Sequence, residues 1–264
     1  MSISLSHRLQ AIADVIPPGS VVVDVGTDHA LLPIYLIQSG VAARVIATDI
    51  ADGPADVARR NVEAHGLSER ISVRCGDGLA TVGPGEAQTI VIAGMGGATI
   101  RDILAGTPSV VGAARRIIVQ PMNLAQHARA YFFTHGFRLV TECALTDGGK
   151  YYEIIAAEPG EPVEYEGYHA DRVALEMAWM FGPQLLRSPN ASVRAHVADT
   201  VQRWGERYER MKASRRPAVT QQAEALLARR AWLEGWLHNV GDPITASREA
   251  TGGTECGNNH TGCH

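Results

Sequence analysis

Asp24, Asp49 and Asp77 each stand at or just past the end of an apolar segment: VVVDV (21–25), VIATDI (45–50) and ISVRC (71–75). If those segments are strands of one parallel sheet, the three carboxylates gather along its carboxyl edge, where open α/β sheets bind ligands. A dinucleotide site needs G-x-G-x-x-G after the first strand, so that nothing obstructs or repels the pyrophosphate. This chain has Asp24-Val25-Gly26-Thr27-Asp28-His29 instead, with one glycine and a second acid. A carboxylate there repels a pyrophosphate but suits a cofactor with cationic groups. S-adenosylmethionine carries a sulfonium and an α-ammonium. Asp49, 25 residues after Asp24, can accept hydrogen bonds from both ribose hydroxyls. Asp77, between Gly76 and Gly78, can take an adenine amine. Each acid alone also fits a turn or a helix cap. Three in succession favour a nucleoside-type cofactor.

Two further strand ends complete the set. TIVIAG (89–94) shares its last residue with Gly94-Met95-Gly96-Gly97, whose glycines let backbone and helix-opening N–H groups approach a flat ligand. Gln120-Pro121-Met122-Asn123 closes RIIVQP (116–121), and its amides suit either a base edge or a cap on the helix that follows.

Positioning these residues requires alternating strands and helices. Leu5, Leu9, Ile12 and Ile16 have helical spacing, and Pro17-Pro18-Gly19 ends that helix. Between the apolar runs lie helical stretches at 29–39, Pro54 to His65 and Leu124 to His135, which predicts right-handed βαβ units. FRLVTECAL (137–145) and YYEIIAAEP (151–159), joined by DGGK, predict a hairpin that gives the parallel sheet an antiparallel partner. The expected fold class is α/β, a mostly parallel sheet with one antiparallel strand followed by a small helical domain. Its expected divisions are a cofactor domain over 1–160, a helical coiled coil over 161–240 and a disordered tail over 241–264. The three helices are read at Tyr168 to Phe181, Ala191 to Lys212 and Ala218 to Leu237.

Composition bounds the function. With 264 residues, 45% hydrophobic and 20% charged, the chain is neither a disordered segment nor a disulfide mini-protein. Four cysteines without a framework spacing and no apolar leader or membrane span predict a cytoplasmic protein. No metal site is expected, because Cys256, His260, Cys263 and His264 match no zinc spacing. The net charge of −4 does not announce a nucleic-acid partner. Yet 187–216 holds eight basic residues against three acidic ones, and Arg203, Arg207 and Arg210 recur at i, i+4, i+7. That run reads either as a phosphate-binding stripe or as a solvated face paired with Glu206 and Glu209.

Taken together, LSHRLQAIADVIP, DVGTDHALLP, DGPADVARRNVEAHGL, ISVRCGDGL, IVIAGMGG, IIVQPMN and YYEIIAAEPG resemble the bacterial tRNA (adenine-22-N1)-methyltransferase family, TrmK, over about residues 5–160. The helical part to about 240 resembles that family's coiled-coil domain. The resemblance implies a seven-stranded Rossmann-like methyltransferase domain with a helical extension, and transfer of a methyl group from S-adenosyl-L-methionine to N1 of an adenine in the tRNA D-arm. The protein is expected to be a monomer without metal. It implies cofactor contacts at Asp24, Gly26, Asp49, Asp77, Gly78, Gly94 and Met95, and a base bordered by Asp28, His29, Gly96, Gly97 and Asn123. Asp28 either stabilises the positive charge of the product ring or caps the following helix, and His29 either orients it, later accepts a proton, or packs on the cofactor loop as a first-turn helix residue. The sequence departs from the family in having Asp49 for a common Glu, and Met122 between Pro121 and Asn123. A small-molecule methyltransferase of the same fold and a non-catalytic RNA- or cofactor-binding protein are the rival readings. The missing Gly-x-Gly argues against a nicotinamide oxidoreductase.

Overall fold

The computed structural model describes residues 3–214 and 216–240. Arg215 of the basic run, and the tail 241–264 with its cysteines and histidines, lie outside the described residues. The described chain divides into two units, the first ending at Val163 and the second starting at Glu164.

The first unit alternates as its sequence pattern predicts. In chain order it contains α1 (His7–Asp14), β1 (Ser20–Val25), α2 (Leu31–Gln38), β2 (Ala42–Asp49), α3 (Asp52–Ala64), β3 (Ile71–Cys75), β4 (Thr89–Met95), α4 (Gly97–Gly106), α5 (Pro108–Ala113), β5 (Arg116–Pro121), α6 (Gln126–Thr134), β6 (Phe137–Asp147) and β7 (Lys150–Pro159). One seven-stranded sheet results, in the order β3-β2-β1-β4-β5-β7-β6. The neighbours from β3 to β5 run parallel, and β7 is antiparallel to both β5 and β6. The hairpin therefore inserts its second strand, not its first, next to β5. The core of the sheet is Val22, Val23, Ile90, Val91, Ile92, Ile117, Ile118 and Ile155, all fully buried. Strands covered by helices on both faces need such unbroken Val/Ile runs. The sheet grows outward from β1 in two directions, towards β3 on one side and from β4 onward on the other. The crevice between the ends of β1 and β4 is thus the topological switch point.

Several helix ends differ from the sequence reading, each for a local reason. The first helix is shorter than its apolar spacing, because the Ser6 hydroxyl caps it by accepting the Leu9 N–H at 3.3 Å. The helix expected over 29–39 begins only at Leu31, and Asp28 does not cap it. Ala30 holds the cap position in a left-handed conformation with no side-chain bond. The helix expected from Leu124 begins at Gln126, since Leu124 itself is left-handed (φ 50°), and neither Gln120 nor Asn123 caps it.

The second unit contains α7 (Arg172–Phe181), α8 (Pro183–Arg187), α9 (Ala191–Met211) and α10 (Pro217–Val240). Asp171 and Asn190 cap α7 and α9 through their side chains. The long helices α9 and α10 form a hairpin that buries Val193 and Val197 of one and Ala223, Leu226 and Leu233 of the other. Arg230 lies where Gly205 leaves room for it. No helix among the described residues is long and apolar enough to cross a membrane.

A buried charge cluster ties the hairpin of the first unit to α6. The Arg129 guanidinium, with no exposed surface, donates to Glu142 at 2.7 Å and to Glu153 at 2.6 Å. Removing the cation leaves two carboxylates buried without it. Arg129→Met should therefore lower the unfolding free energy by about 3–5 kcal/mol in urea titrations. A loss below ~1 kcal/mol would show that the carboxylates find other compensation.

Candidate functional site

The loop after β1 is held by backbone bonds to β2. The N–H groups of Gly26 and Thr27 both donate to the Thr48 carbonyl, at 2.8 and 2.9 Å. Gly26 has φ +74°, a conformation open to glycine but strained for other residues. Past it, Asp28 (φ 51°) and Ala30 (φ 57°) are left-handed without being glycines. Such conformations cost on the order of 1–3 kcal/mol each and gather at functional sites. Asn61 of α3 braces this stretch by donating its amide to the His29 carbonyl at 2.9 Å.

Asp24 is buried at the end of β1, and the Thr27 hydroxyl donates to its carboxylate at 2.7 Å. Burial pushes its pKa up to about 6, against the lowering effect of the Thr27 bond and with a smaller upward push from Asp49. No cation answers this carboxylate in the ion pairs of the described residues. Asp49, at the end of β2, is fixed by two backbone donors: Asp28 N–H at 3.2 Å on one oxygen and Ala51 N–H at 3.1 Å on the other. A carboxylate oxygen accepts more than one bond, so both remain available to hydroxyl donors. Ile50 beside it is 69% exposed, an apolar surface at the mouth of the crevice.

The Asp77 carboxylate is exposed just beyond β3, and Gly78 is left-handed (φ +54°) with its carbonyl accepting from Thr48 Oγ1 at 3.0 Å. Gly94 breaks the register of β4 against β5, has φ +76° and is exposed, with open space where a side chain would stand. Met95 reaches across to Gly26, where a Cβ would sit 2.4 Å from its methyl group. The sheet thus brings Asp24, Gly26, Asp28, His29, Asp49, Asp77, Gly78, Gly94 and Met95 to one edge.

Gly96 and Gly97 have a reason within the protein. A Cβ on Gly97 would lie 2.1 Å from the Leu124 carbonyl oxygen, and the Gly97 N–H is spent on the Asn123 carbonyl at 2.9 Å. That N–H is therefore closed to a ligand, contrary to the expectation for the turn. Asn123 itself is exposed, and its carboxamide oxygen lies 3.2 Å from where a Gly96 Cβ would be. Gln120 is the clearest departure from the sequence reading. It is fully buried and bonded inward, so it cannot meet a base edge. His29 and Asp28 are exposed, with Nε2 and Oδ1 3.5 Å apart.

Sequence reasoning passes over Thr27, Thr48 and Asn61, which hold the acids and their loop in place. Their signal is only that polar residues adjoin or face strand ends. Among the described residues no group of three or more His, Cys, Asp and Glu is placed to hold a metal.

In the second unit, Arg203 pairs with Asp199 at 2.9 Å, Glu209 takes Lys212, and Glu206 takes Gln202. Arg207 and Arg210 are exposed and make no ion pair among the described residues, so the paired face weighed for the run forms only in part, through Arg203 with Asp199 and Lys212 with Glu209.

A sheet with this strand order, a glycine turn at its switch point and acids at three neighbouring strand ends defines a nucleoside-cofactor methyltransferase domain. A methyltransferase-domain family model matches residues 5–155. The chain is 41% identical over 190 residues to the tRNA (adenine(22)-N(1))-methyltransferase of Bacillus subtilis strain 168, covering 72% of this chain and 78% of that protein. The crystal structure of Bacillus subtilis TrmK superposes with a TM-score of 0.83 at 37% identity, over 89% of this chain and all of that one. A Streptococcus pneumoniae protein assigned the same tRNA methylation, solved with S-adenosyl-L-methionine, gives 0.73 at 32% identity, over 89% and 100% of the two chains. The chain belongs to the tRNA (adenine(22)-N1)-methyltransferase family.

The residues fit the cofactor of such an enzyme. A buried carboxylate without a cation, a second with both oxygens aimed by backbone donors, and open space at Gly94 match an ammonium, a ribose and a flat base. Asp24 also imposes a pH signature. Its carboxyl titrates near 3.9 in the unfolded chain and about 6 in the folded one, so the folded state holds the proton more tightly. Its contribution is most favourable below the unfolded value and is lost as pH rises through 6, by at most about 3 kcal/mol. Asp24→Asn should therefore stabilise the ligand-free protein against urea at pH 8 and not at pH 4. Equal gains at both pH values would exclude this origin.

Proposed function

We propose that this chain transfers the methyl group of S-adenosyl-L-methionine to N1 of adenine 22 in the D-arm of tRNA, in the cytoplasm and as a monomer. The uncompensated carboxylate of Asp24 at the switch point is the observation that carries the cofactor. Kinship over most of the chain to a tRNA (adenine(22)-N(1))-methyltransferase supports the target. When bound, the cofactor supplies an electrophilic methyl on a sulfonium. Asp24 answers the ammonium end, Asp49 accepts from the ribose hydroxyls, Asp77 and Gly78 border the adenine of the cofactor, and Gly94 and Met95 close its flank.

Neutral adenine N1 already offers an in-plane lone pair, so no proton must leave before it attacks. The work of the protein is then alignment in a site shielded from water, which can supply roughly 7–11 kcal/mol of the barrier. Methylation leaves a positive charge on the ring. The exposed Asp28 carboxylate accepts from the amino group of the base and stabilises that charge more in the transition state than before it. His29 keeps Asp28 oriented, and Gly96, Gly97 and Asn123 shape the far wall. The strained backbone of Asp28 is consistent with a side chain placed for chemistry.

The target base must leave its stack, at a cost of a few kcal/mol. Contacts to the RNA backbone must offset it, and the methyltransferase unit, read as residues 1–160, is net acidic. We assign them to the helical part over 161–240, through Arg203, Arg207 and Arg210 on one face of α9. A small-molecule methyltransferase would leave that stripe without purpose.

Three measurements test the proposal. Asp28→Asn should keep calorimetric affinity for S-adenosylmethionine within about threefold while the methylation rate of tRNA falls at least tenfold. A tRNA carrying guanine at position 22 should accept no methyl group. Unchanged turnover, or methylation of that tRNA, would remove the assignment. Replacing Arg203, Arg207 and Arg210 together by Gln should weaken tRNA binding. It should also lower the slope of log K against log salt by about 2–3, since each neutralised phosphate contributes ~0.9 to that slope. An unaltered slope would move RNA binding elsewhere.

A further inference from the structure

The bulge in β4 creates a bonding problem that a residue far away in sequence solves. Ala93 pairs with Gln120 and Met95 with Pro121, so Gly94 is the extra residue between them and falls out of the ladder. A bulge re-aims the strand beyond it, and it leaves an N–H that needs another acceptor. Here the Gly94 N–H donates to the side-chain oxygen of Gln120 at 3.2 Å. The same oxygen accepts from the Arg8 guanidinium at 2.6 Å, and the Gln120 amide nitrogen donates to the Pro121 carbonyl at 3.1 Å. Gln120 is completely buried, and its amide is held from both ends: the guanidinium fixes its oxygen, and the Pro121 carbonyl and the Met122 sulfur, at 3.7 Å, receive its nitrogen. Arg8 is anchored in turn: its N–H meets Asp147 at 3.2 Å and its guanidinium lies over the Tyr152 ring, 5.7 Å from the centroid.

We propose that Arg8 of α1 is a positioning residue for the cofactor-facing tip of β4, acting through Gln120 on the N–H that the Gly94 bulge leaves outside the sheet. The inference rests on the methyltransferase reading for what the tip contacts, and on the hydrogen bonds alone for how the tip is held. Met95 follows the bulge and lies against the Gly26 turn, so the placement set by Arg8 reaches both sides of the switch point. Loss of the guanidinium removes the short bond that fixes the Gln120 oxygen, leaves the amide held by its nitrogen alone, and so loosens the acceptor of the Gly94 N–H.

Two readouts on the full-length protein test this. In the ligand-free protein, amide hydrogen exchange at Gly94 should speed at least tenfold in Arg8→Ala, while Ile92 and Ile118 of the same sheet keep their protection. By calorimetry, affinity for S-adenosylmethionine should fall about tenfold in Arg8→Ala and stay within threefold of the parent in Arg8→Lys, whose ammonium can still meet Gln120. The double variant Arg8→Ala/Gln120→Leu should bind no more weakly than Gln120→Leu alone, because both changes break one relay. Unchanged exchange at Gly94, or losses that multiply in the double variant, would overturn the proposal. Should Gln120→Leu fail to fold, the Arg8→Ala and Arg8→Lys pair decides it. A parent protein that gives no heat with S-adenosylmethionine would defeat the methyltransferase reading, and exchange at Gly94 would still decide the relay.

Discussion

A carboxylate shut away from water with only a hydroxyl for company is the constraint from which the rest of this site follows. Burying Asp24 in the apolar sheet is unfavourable in the ligand-free protein, and the Thr27 hydroxyl offsets only part of that cost. Such a group is an acceptor waiting for a cation. Thr27 keeps it pointed, and the backbone of Thr48 keeps Thr27 in place. The adjacent strand then needs its own acid aimed by amides rather than by a counter-charge, which is how Asp49 is held. The preference for a positively charged nucleoside cofactor over a pyrophosphate is thus a property of the sheet edge as a whole.

The second constraint is backbone strain. Asp28, Ala30 and Leu124 are left-handed without being glycines, and all three lie in loops at the carboxyl edge of the sheet. Each is over-determined by neighbours: Asp28 by its N–H to Asp49, Ala30 by its N–H to the Thr27 carbonyl, Leu124 by the loop that closes over Gly97. Rigid strands supply the leverage, and the loops use it to present side chains at angles that relaxed turns would not give.

Much of this was legible in the sequence, and the division has a physical basis. The strands show as Val/Ile runs because burial on both faces demands them, and the acids show because they stand at fixed distances from the ends of those runs. The seven-stranded α/β sheet and the hairpin follow from the same pattern. What the sequence hides is decided by partners remote along the chain. Gln120 looks like a ligand for a base until Arg8, 112 residues away, is found bonded to it. Arg129 looks like one more helix arginine until Glu142 and Glu153 surround it. The glycine-rich turn looks made for a ligand, yet Gly97 is required by a carbonyl of the protein itself. Local propensity cannot foresee left-handed Asp28 either, since tertiary bonds impose it.

The contact between Gly97 and the Leu124 carbonyl has a consequence for anyone reshaping this enzyme. The exits of β4 and β5 interlock at backbone level: the Met122 and Gly97 N–H groups donate across to the Met95 and Asn123 carbonyls, and a Gly97 side chain would run into the Leu124 carbonyl. Neither segment can be grafted from another scaffold by itself. A redesign of either exit would have to transplant 94–97 and 120–124 as one piece, so the diversity open to them is that of matched pairs.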